Sequence, residues 1–462
     1  MYLKRYFVEG LAHASYLFGA DGEAAVVDPK RDIDDYIADA EKEGLRVVAI
    51  FNSHPHADFA SGFMELSQRT GAKIYVSHLA PVTYEHVSGR DQDRVKVGSL
   101  EVELLETPGH SPDSLSFLVH EDGRPETIFT GDLLFVNDVG RPDLRDADED
   151  PSALAAKLYD SLFDKILSLP DSVKIYPAHG AGSLCGRAIS SAPFSLVGQE
   201  RQLNWALRLQ DREEFVKAMT ANLPDRPAYF SYDVGVNLKG ATPLSELPPL
   251  TELNEQDLAR GSTNSVAMID TRPAPVYGAG HYPGSLNIGL GSALFSTWVG
   301  FIIPGGTSIA LIVDSAAAAH KARLELARIG FDQVAGYILA DNVKETTQLS
   351  QLSVCDLKAA RDRGDAPAIL DVRTPGEWAK FHIDGASHIP LPTLPKRLNE
   401  IPRRQSVAVV CGSGYRSSIA ASLLQAQGFR ELQNVMGGMS AYEEAKCPSF
   451  EPADLVFHGE AI

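Results

Sequence analysis

The sequence predicts an α/β chain of several domains, and three observations lead there. In the first half, short apolar runs alternate with helical patterns and repeatedly end in His or Asp. The second half contains an internal repeat. The chain has 462 residues, more than one hydrophobic core serves. Composition is that of a globular protein, 44% hydrophobic and 22% charged. A formal charge of -19 argues against a nucleic-acid partner, because phosphate neutralisation needs clustered Lys and Arg.

No apolar stretch follows the basic pair of MYLKRYFVEG, so no signal peptide is expected and the chain reads as cytoplasmic. The nearly uncharged run from Ala293 to Val313 is broken by Pro304-Gly305-Gly306. It reads as an apolar segment, a turn and a buried strand, so no membrane partner is expected. Cys185, Cys355, Cys411 and Cys447 form no CxxC pair, so neither a zinc knuckle nor a disulfide framework is indicated, and reduced thiols are expected.

Residues 1–240 read as the first domain. Ala24–Val27 runs into Asp28, Val47–Phe51 into Asn52-Ser53-His54, and Leu100–Thr107 into Pro108-Gly109-His110. Thr127–Thr130 leads to Gly131-Asp132, and Lys174–Pro177 to Ala178-His179. Strands that deliver His and Asp from their carboxyl ends build a site on one edge of a sheet. The densest cluster is Asn52 to Gly62, where His54, His56 and Asp58 stand two residues apart. With His110, Asp132 and His179 they form imidazole and carboxylate clusters suited to Zn, Fe or Mn.

Residues 241–254 are a Pro-rich linker expected to form no element. Then Met268–Ile288 aligns with Ile369–Ile389, and Ile309–Phe331 with Val407–Phe429. This sets one domain at 255–345 and another at 352–462. Where the second repeat has Cys411 after its buried strand, the first has Asp314. The loop Cys411-Gly-Ser-Gly-Tyr-Arg-Ser417 lies between a strand and a helix. Its glycines let backbone N–H groups turn inward, while the helix N-terminus and Arg416 add positive potential around a thiolate or persulfide. Phosphate-transfer loops generally hold five residues between Cys and Arg. The four here suit a single sulfur better.

Over about the first 240 positions, the clusters resemble the metallo-β-lactamase superfamily, which implies an αββα sandwich. The family's motif has a further His directly after the Asp, where this chain has Phe59. In dinuclear members that His binds a second metal, so two metals are not expected. The mononuclear branch that the chain resembles, the persulfide dioxygenases, implies one Fe(II) per chain held by His54, His110 and Asp132, with Zn as the alternative. Such a triad leaves positions open for a substrate sulfur and O₂. His56, Asp58 and His179 are then groups that orient the ligands, or alternative ligands. Gly140–Leu144 and Ala181–Gly186 also look like segments of this branch. Cys185 is a candidate contact for the substrate thiol, or else a packed, inert side chain.

The Cys411 loop resembles that of rhodanese domains. The resemblance implies two α/β rhodanese-like domains with parallel central sheets, of which the first is an inactive spacer. Cys411 and Arg416 are the expected catalytic residues, with Gly412, Ser413, Gly414 and Tyr415 as the persulfide-binding loop. Asp371 and Arg373 are expected to be structural. The combined implication is a coupled enzyme. It oxidises a small-thiol persulfide with O₂ to sulfite and transfers sulfane sulfur through Cys411 to give thiosulfate. The alternatives are a zinc-dependent, glyoxalase II-like thioester hydrolase with an appended sulfurtransferase, and a persulfide-responsive binding module. Apolar segments in the middle repeat favour a homodimer or higher homo-oligomer.

Overall fold

In a computed structural model, the strands that end in His and Asp form two six-stranded sheets. The structure describes residues 1–145, 150–221, 223, 226–263, 265–444 and 455–457, without the side chains of 262–263 and 455–457. The first sheet runs Tyr2–Val8, His13–Ala20, Glu23–Val27, Arg46–Phe51, Lys73–Ser77, Val87–Gly89. The second runs Ser195–Leu196, Lys174–Pro177, Arg124–Gly131, Leu115–Glu121, Leu100–Glu106, Arg94–Val97.

Alternating side chains explain the layering. Phe18 and Phe51 of one sheet meet Phe129 and Phe117 of the other, with ring centroids 5.1 and 5.0 Å apart. The opposite faces are apolar too. Leu17, Val26 and Ile50 pack with Tyr36, Phe63 and Leu66 of the helices Asp34–Lys42 and Phe63–Thr70. Ile128 and Ile175 pack with Leu154 neighbours Ala155 and Leu158 of the helix Pro151–Asp160. A sheet pair buried on both faces is an αββα sandwich.

The chain divides into two compact units. One holds Met1–Pro248 with Leu324–Asp332, the other Pro249–Arg323 with Gln333–Ile462. Leu324–Asp332 was expected to stay wholly with the middle repeat. Within the first unit Arg328 forms two hydrogen bonds to Asp32, both 2.9 Å. Such a pairing between distant positions has no local sequence signature.

The second unit contains two parallel sheets. One has the order Leu286–Asn287, Ala267–Asp270, Ile309–Val313, Val334–Leu339. In the other, the order is Ser387–His388, Ala368–Asp371, Val407–Val410, Leu432–Val435, Ser350–Leu352. The first four strands correspond. The repeats also share details. Asp270–Arg272 and Asp371–Arg373 form equivalent ion pairs, at 2.6 and 2.7 Å. His281 stacks on Tyr277, and His382 on Trp378, each at 3.7 Å.

The apolar run after Ala293 forms the helix Phe295–Ile302, a turn, and the fully buried strand Ile309–Val313. Among the described residues, no helix is long and apolar enough to cross a membrane. The linker departs from expectation. It contains a short helical turn, Leu244–Glu246, and its end joins a sheet, Tyr337 donating to Thr251 at 2.9 Å. Backbone pairing needs no apolar pattern in the added segment. Cys355, expected to be reduced, is disulfide-bonded, because sequence separation says nothing of proximity in the fold. Cys447 lies outside the described residues.

Candidate metal centre and sulfur loop

The strand Arg46–Phe51 ends in a tight loop that carries His54, His56 and Asp58 inward, all of them buried. The loop is fixed by groups outside it. Asp28 accepts the Ser53 N–H at 2.7 Å and stands 3.2 Å from His56 Nε2, so this strand-end carboxylate anchors the loop. Asn237, on the helix Phe230–Lys239, donates to the carbonyls of His56 and Phe59 at 2.8 and 2.7 Å. Its side-chain oxygen accepts the Ser61 N–H at 2.9 Å.

His54, His110 and Asp132 meet. His54 Nε2 is 4.0 Å and His110 Nε2 3.5 Å from Asp132 Oδ2. His54 Nδ1 contacts Ser53 Oγ at 3.0 Å, which leaves Nε2 as its free atom. That Nε2 and Asp132 Oδ2 are both buried without a hydrogen-bond partner. Buried polar atoms are costly when unpaired, so two that converge beside a second imidazole fit a cation. Burial and neighbouring imidazoles hold His54 well below its ordinary pKa, and burial lowers His110, which keeps both in the neutral, ligating form.

His179 joins two carboxylates. Its Nδ1 lies 2.7 Å from Asp132 Oδ1 and its Nε2 2.7 Å from Asp58 Oδ2. Burial opposes its charge, but the two carboxylates outweigh burial and raise its pKa well above the ordinary value. Burial likewise opposes charge on Asp132, which His179 nonetheless holds well below the usual carboxylate range. His179 therefore holds one oxygen of Asp132 and leaves the other for a cation. His56, Asp132 and His179 form a second group with ligand atoms within reach of one another, and Asp58, His179 and Cys185 a third. Beside them lies the Phe59 ring, buried and packed at a tilt against His13 and His56, with ring centroids 3.7 and 4.4 Å apart. His13, which sequence reading missed, is buried with neither ring nitrogen paired. Its only local signal is a polar residue opening a mostly apolar strand.

The two flagged segments support this centre together. Arg141 donates its backbone N–H to the Cys185 carbonyl at 3.0 Å and pairs with Asp143 at 2.8 Å. A Cβ on Gly140 would fall 1.8 Å from the Asp132 carbonyl oxygen, so only glycine fits there. The Cys185 thiol is pushed well up by burial and by Asp58 and Asp132, which keeps it protonated.

At the other centre, Cys411 follows the strand Val407–Val410 and is fully buried. Its Sγ accepts the Gly414 N–H at 3.1 Å. Gly414 has φ +96°, a conformation that a side chain would strain. The Ser417 hydroxyl lies 3.4 Å from Sγ and 2.7 Å from Asn434 Oδ1, with one proton to share between them. The loop is held from behind by N–H groups of Met439 and Ser440, which donate to the carbonyls of Cys411 and Gly412.

Arg416 was expected to lend its charge to the sulfur. Both of its terminal nitrogens also bind Glu377, at 2.7 and 2.6 Å, a partner the sequence did not reveal. Glu377 also closes a capping box with Thr374 at the start of the helix Pro375–Lys380. The Thr374-x-x-Glu377 spacing was the available signal for the cap, though not for the ion pair. Asp371 and Arg373 form a buried pair that also reaches the Phe381 carbonyl at 2.7 Å, a structural role.

Comparison with known proteins finds both kinds of domain. The metallo-beta-lactamase superfamily matches residues 8–179, and the rhodanese-like domain matches residues 353–445. The persulfide dioxygenase ETHE1 of Homo sapiens is 33% identical over 231 residues, covering 49% of this chain and 83% of that protein. A hydroxyacylglutathione hydrolase of Nitrosococcus oceani is 32% identical over 234 residues, covering 45% and 84%. A metallo-beta-lactamase structure from Staphylococcus aureus aligns with a TM-score of 0.65 at 31% identity, covering 73% of this chain and 98% of that one. This chain belongs to the metallo-β-lactamase superfamily, with persulfide dioxygenase homologues of the ETHE1 kind, and carries a C-terminal rhodanese-like domain.

Proposed function

We propose that this enzyme oxidises a small-thiol persulfide with O₂ at one iron ion held by His54, His110 and Asp132, and that Cys411 transfers sulfane sulfur to the sulfite formed. One observation carries this reading: His54 Nε2 and Asp132 Oδ2, both buried without a hydrogen-bond partner, converge beside His110. The persulfide dioxygenase relatives support the reaction class.

Fe(II), when bound, supplies a redox-active Lewis acid with open positions. The protein's own part is to keep His54 and His110 neutral, and to orient Asp132 through His179. Protonated Cys185 offers an S–H beside Asp58 where the substrate thiol is expected to lie. The first reaction balances as RSSH + O₂ + H₂O to RSH, sulfite and two protons. In the second, the Cys411 persulfide gives its outer sulfur to sulfite. Thiosulfate leaves, and the Cys411 thiol is restored.

Anaerobic purification, metal analysis and O₂ uptake with a small-thiol persulfide test the first step. Iron and persulfide-dependent uptake are expected. Zinc with thioester cleavage and no O₂ uptake would overturn it in favour of a hydrolase. Cys411→Ser is expected to retain O₂ uptake and lose thiosulfate formation, and loss of both activities would refute the division of labour.

A further inference from the structure

Within the second unit, the helix Tyr415–Ala426 that follows the Cys411 loop lies against the middle repeat. Tyr415 donates to the Gly289 carbonyl at 3.0 Å, Asn287 donates its N–H to Ser422 Oγ at 2.9 Å, and His281 Nε2 meets Gln425 Oε1 at 2.9 Å. Next to this contact is a cavity of about 740 Å³. Loop residues Ser413 to Arg416 form part of its wall, and Gly414 is the residue whose N–H holds the Cys411 sulfur. Leu294 and Trp298 of the middle repeat and Met436 of the last repeat also line it.

The cavity is in the size range of sites for organic molecules, far larger than sulfite or one sulfane sulfur requires. Its apolar lining is kept open. Leu294 is 44% and Met436 39% exposed, although both are large hydrophobic residues. Arg416, the one cation among the described residues of the lining, is already held by Glu377 through two hydrogen bonds, so charge alone does not fill a cavity of this size. An occupant must therefore bring an organic body with apolar surface while presenting sulfur to the loop.

We propose that this cavity holds the organic group of a low-molecular-weight thiol persulfide as it donates sulfur to Cys411, and that Leu294 and Met436 determine which thiol is accepted. The middle repeat is then half of a substrate site. The inference rests on the sulfurtransferase reading of Cys411. The Cys411 thiolate attacks the outer sulfur of R–S–SH. A new S–S bond forms at Cys411, the S–S bond of the donor breaks, and R–S⁻ leaves, with no net oxidation or reduction.

The test uses the full chain without O₂, so that persulfide oxidation is silent, with cyanide as acceptor and thiocyanate as the readout. Benzyl persulfide is the organic donor and thiosulfate the inorganic one. Because both residues are partly exposed, Leu294→Ser and Met436→Ser are expected to fold. Together they should raise KM for benzyl persulfide about tenfold, with kcat retained. Thiosulfate, too small to reach either residue, should keep its KM within about twofold. Unchanged KM for benzyl persulfide, or a parallel rise for both donors, would overturn the proposal. Absence of Cys411-dependent thiocyanate from either donor in the unmodified chain would instead defeat the sulfurtransferase reading itself.

Discussion

Glu377 and Arg416 are joined by two parallel hydrogen bonds, Oε2 to Nη1 at 2.7 Å and Oε1 to Nη2 at 2.6 Å. Burial works against the Glu377 charge, but Arg416 and Thr374 prevail and bring its pKa down from 4.5 to about 2. A depressed folded pKa means stability that is present above pH 4.5 and lost as pH falls toward 2. Urea unfolding of the second unit should therefore show Glu377→Gln to be less stable than the unmodified chain at neutral pH, with the gap closing through this window. A constant gap would mean that the pair contributes nothing pH-dependent.

His179→Asn should leave the fold intact while freeing Asp132 to rotate. Loss of such an orienting partner typically lowers metal affinity about 10- to 100-fold. Competition with a chelator measures this directly, and unchanged affinity would show that Asp132 is positioned without His179.

Phe59→His should raise metal content above the one ion per chain expected of the natural sequence. Asp58 and His179 already lie within reach of one another there, and the substitution adds the missing imidazole. Elemental analysis after metal loading gives the stoichiometry. A ratio still at one would mean that Phe59 is not what limits the site to one ion.

Asn237→Ala should destabilise the first unit by about 3 kcal/mol, because it strands two carbonyls and one N–H in a buried loop. Chemical denaturation reads the loss, and metal affinity should fall with it. A cost below about 1 kcal/mol would imply that water replaces all three bonds.

What could be read from the sequence was whatever shows locally. His54, His110 and Asp132 each follow the end of a strand, and chelating side chains just past strand ends stand out in one dimension. The Cys411 loop and the repeat around it were visible for the same reason. Glu377 was not, because its partner stands 39 positions away and ion pairing leaves no periodic trace. His13 and Asn237 were also hidden, since a lone buried His or Asn looks the same in sequence whether it steadies a site or packs elsewhere. Thr251–Leu253 joined a sheet through backbone groups, which every residue has.

The hold that Gly289, Asn287 and His281 have on the helix Tyr415–Ala426 matters for any attempt to isolate the C-terminal activity. Cutting at residue 353, where the rhodanese-like match begins, would strip that helix of its cover and turn Ser418 and Ser422, now buried, toward water. A piece that keeps this cover begins well upstream, before the strand Ala267–Asp270, so the border of the sequence match is not the border of the packed part.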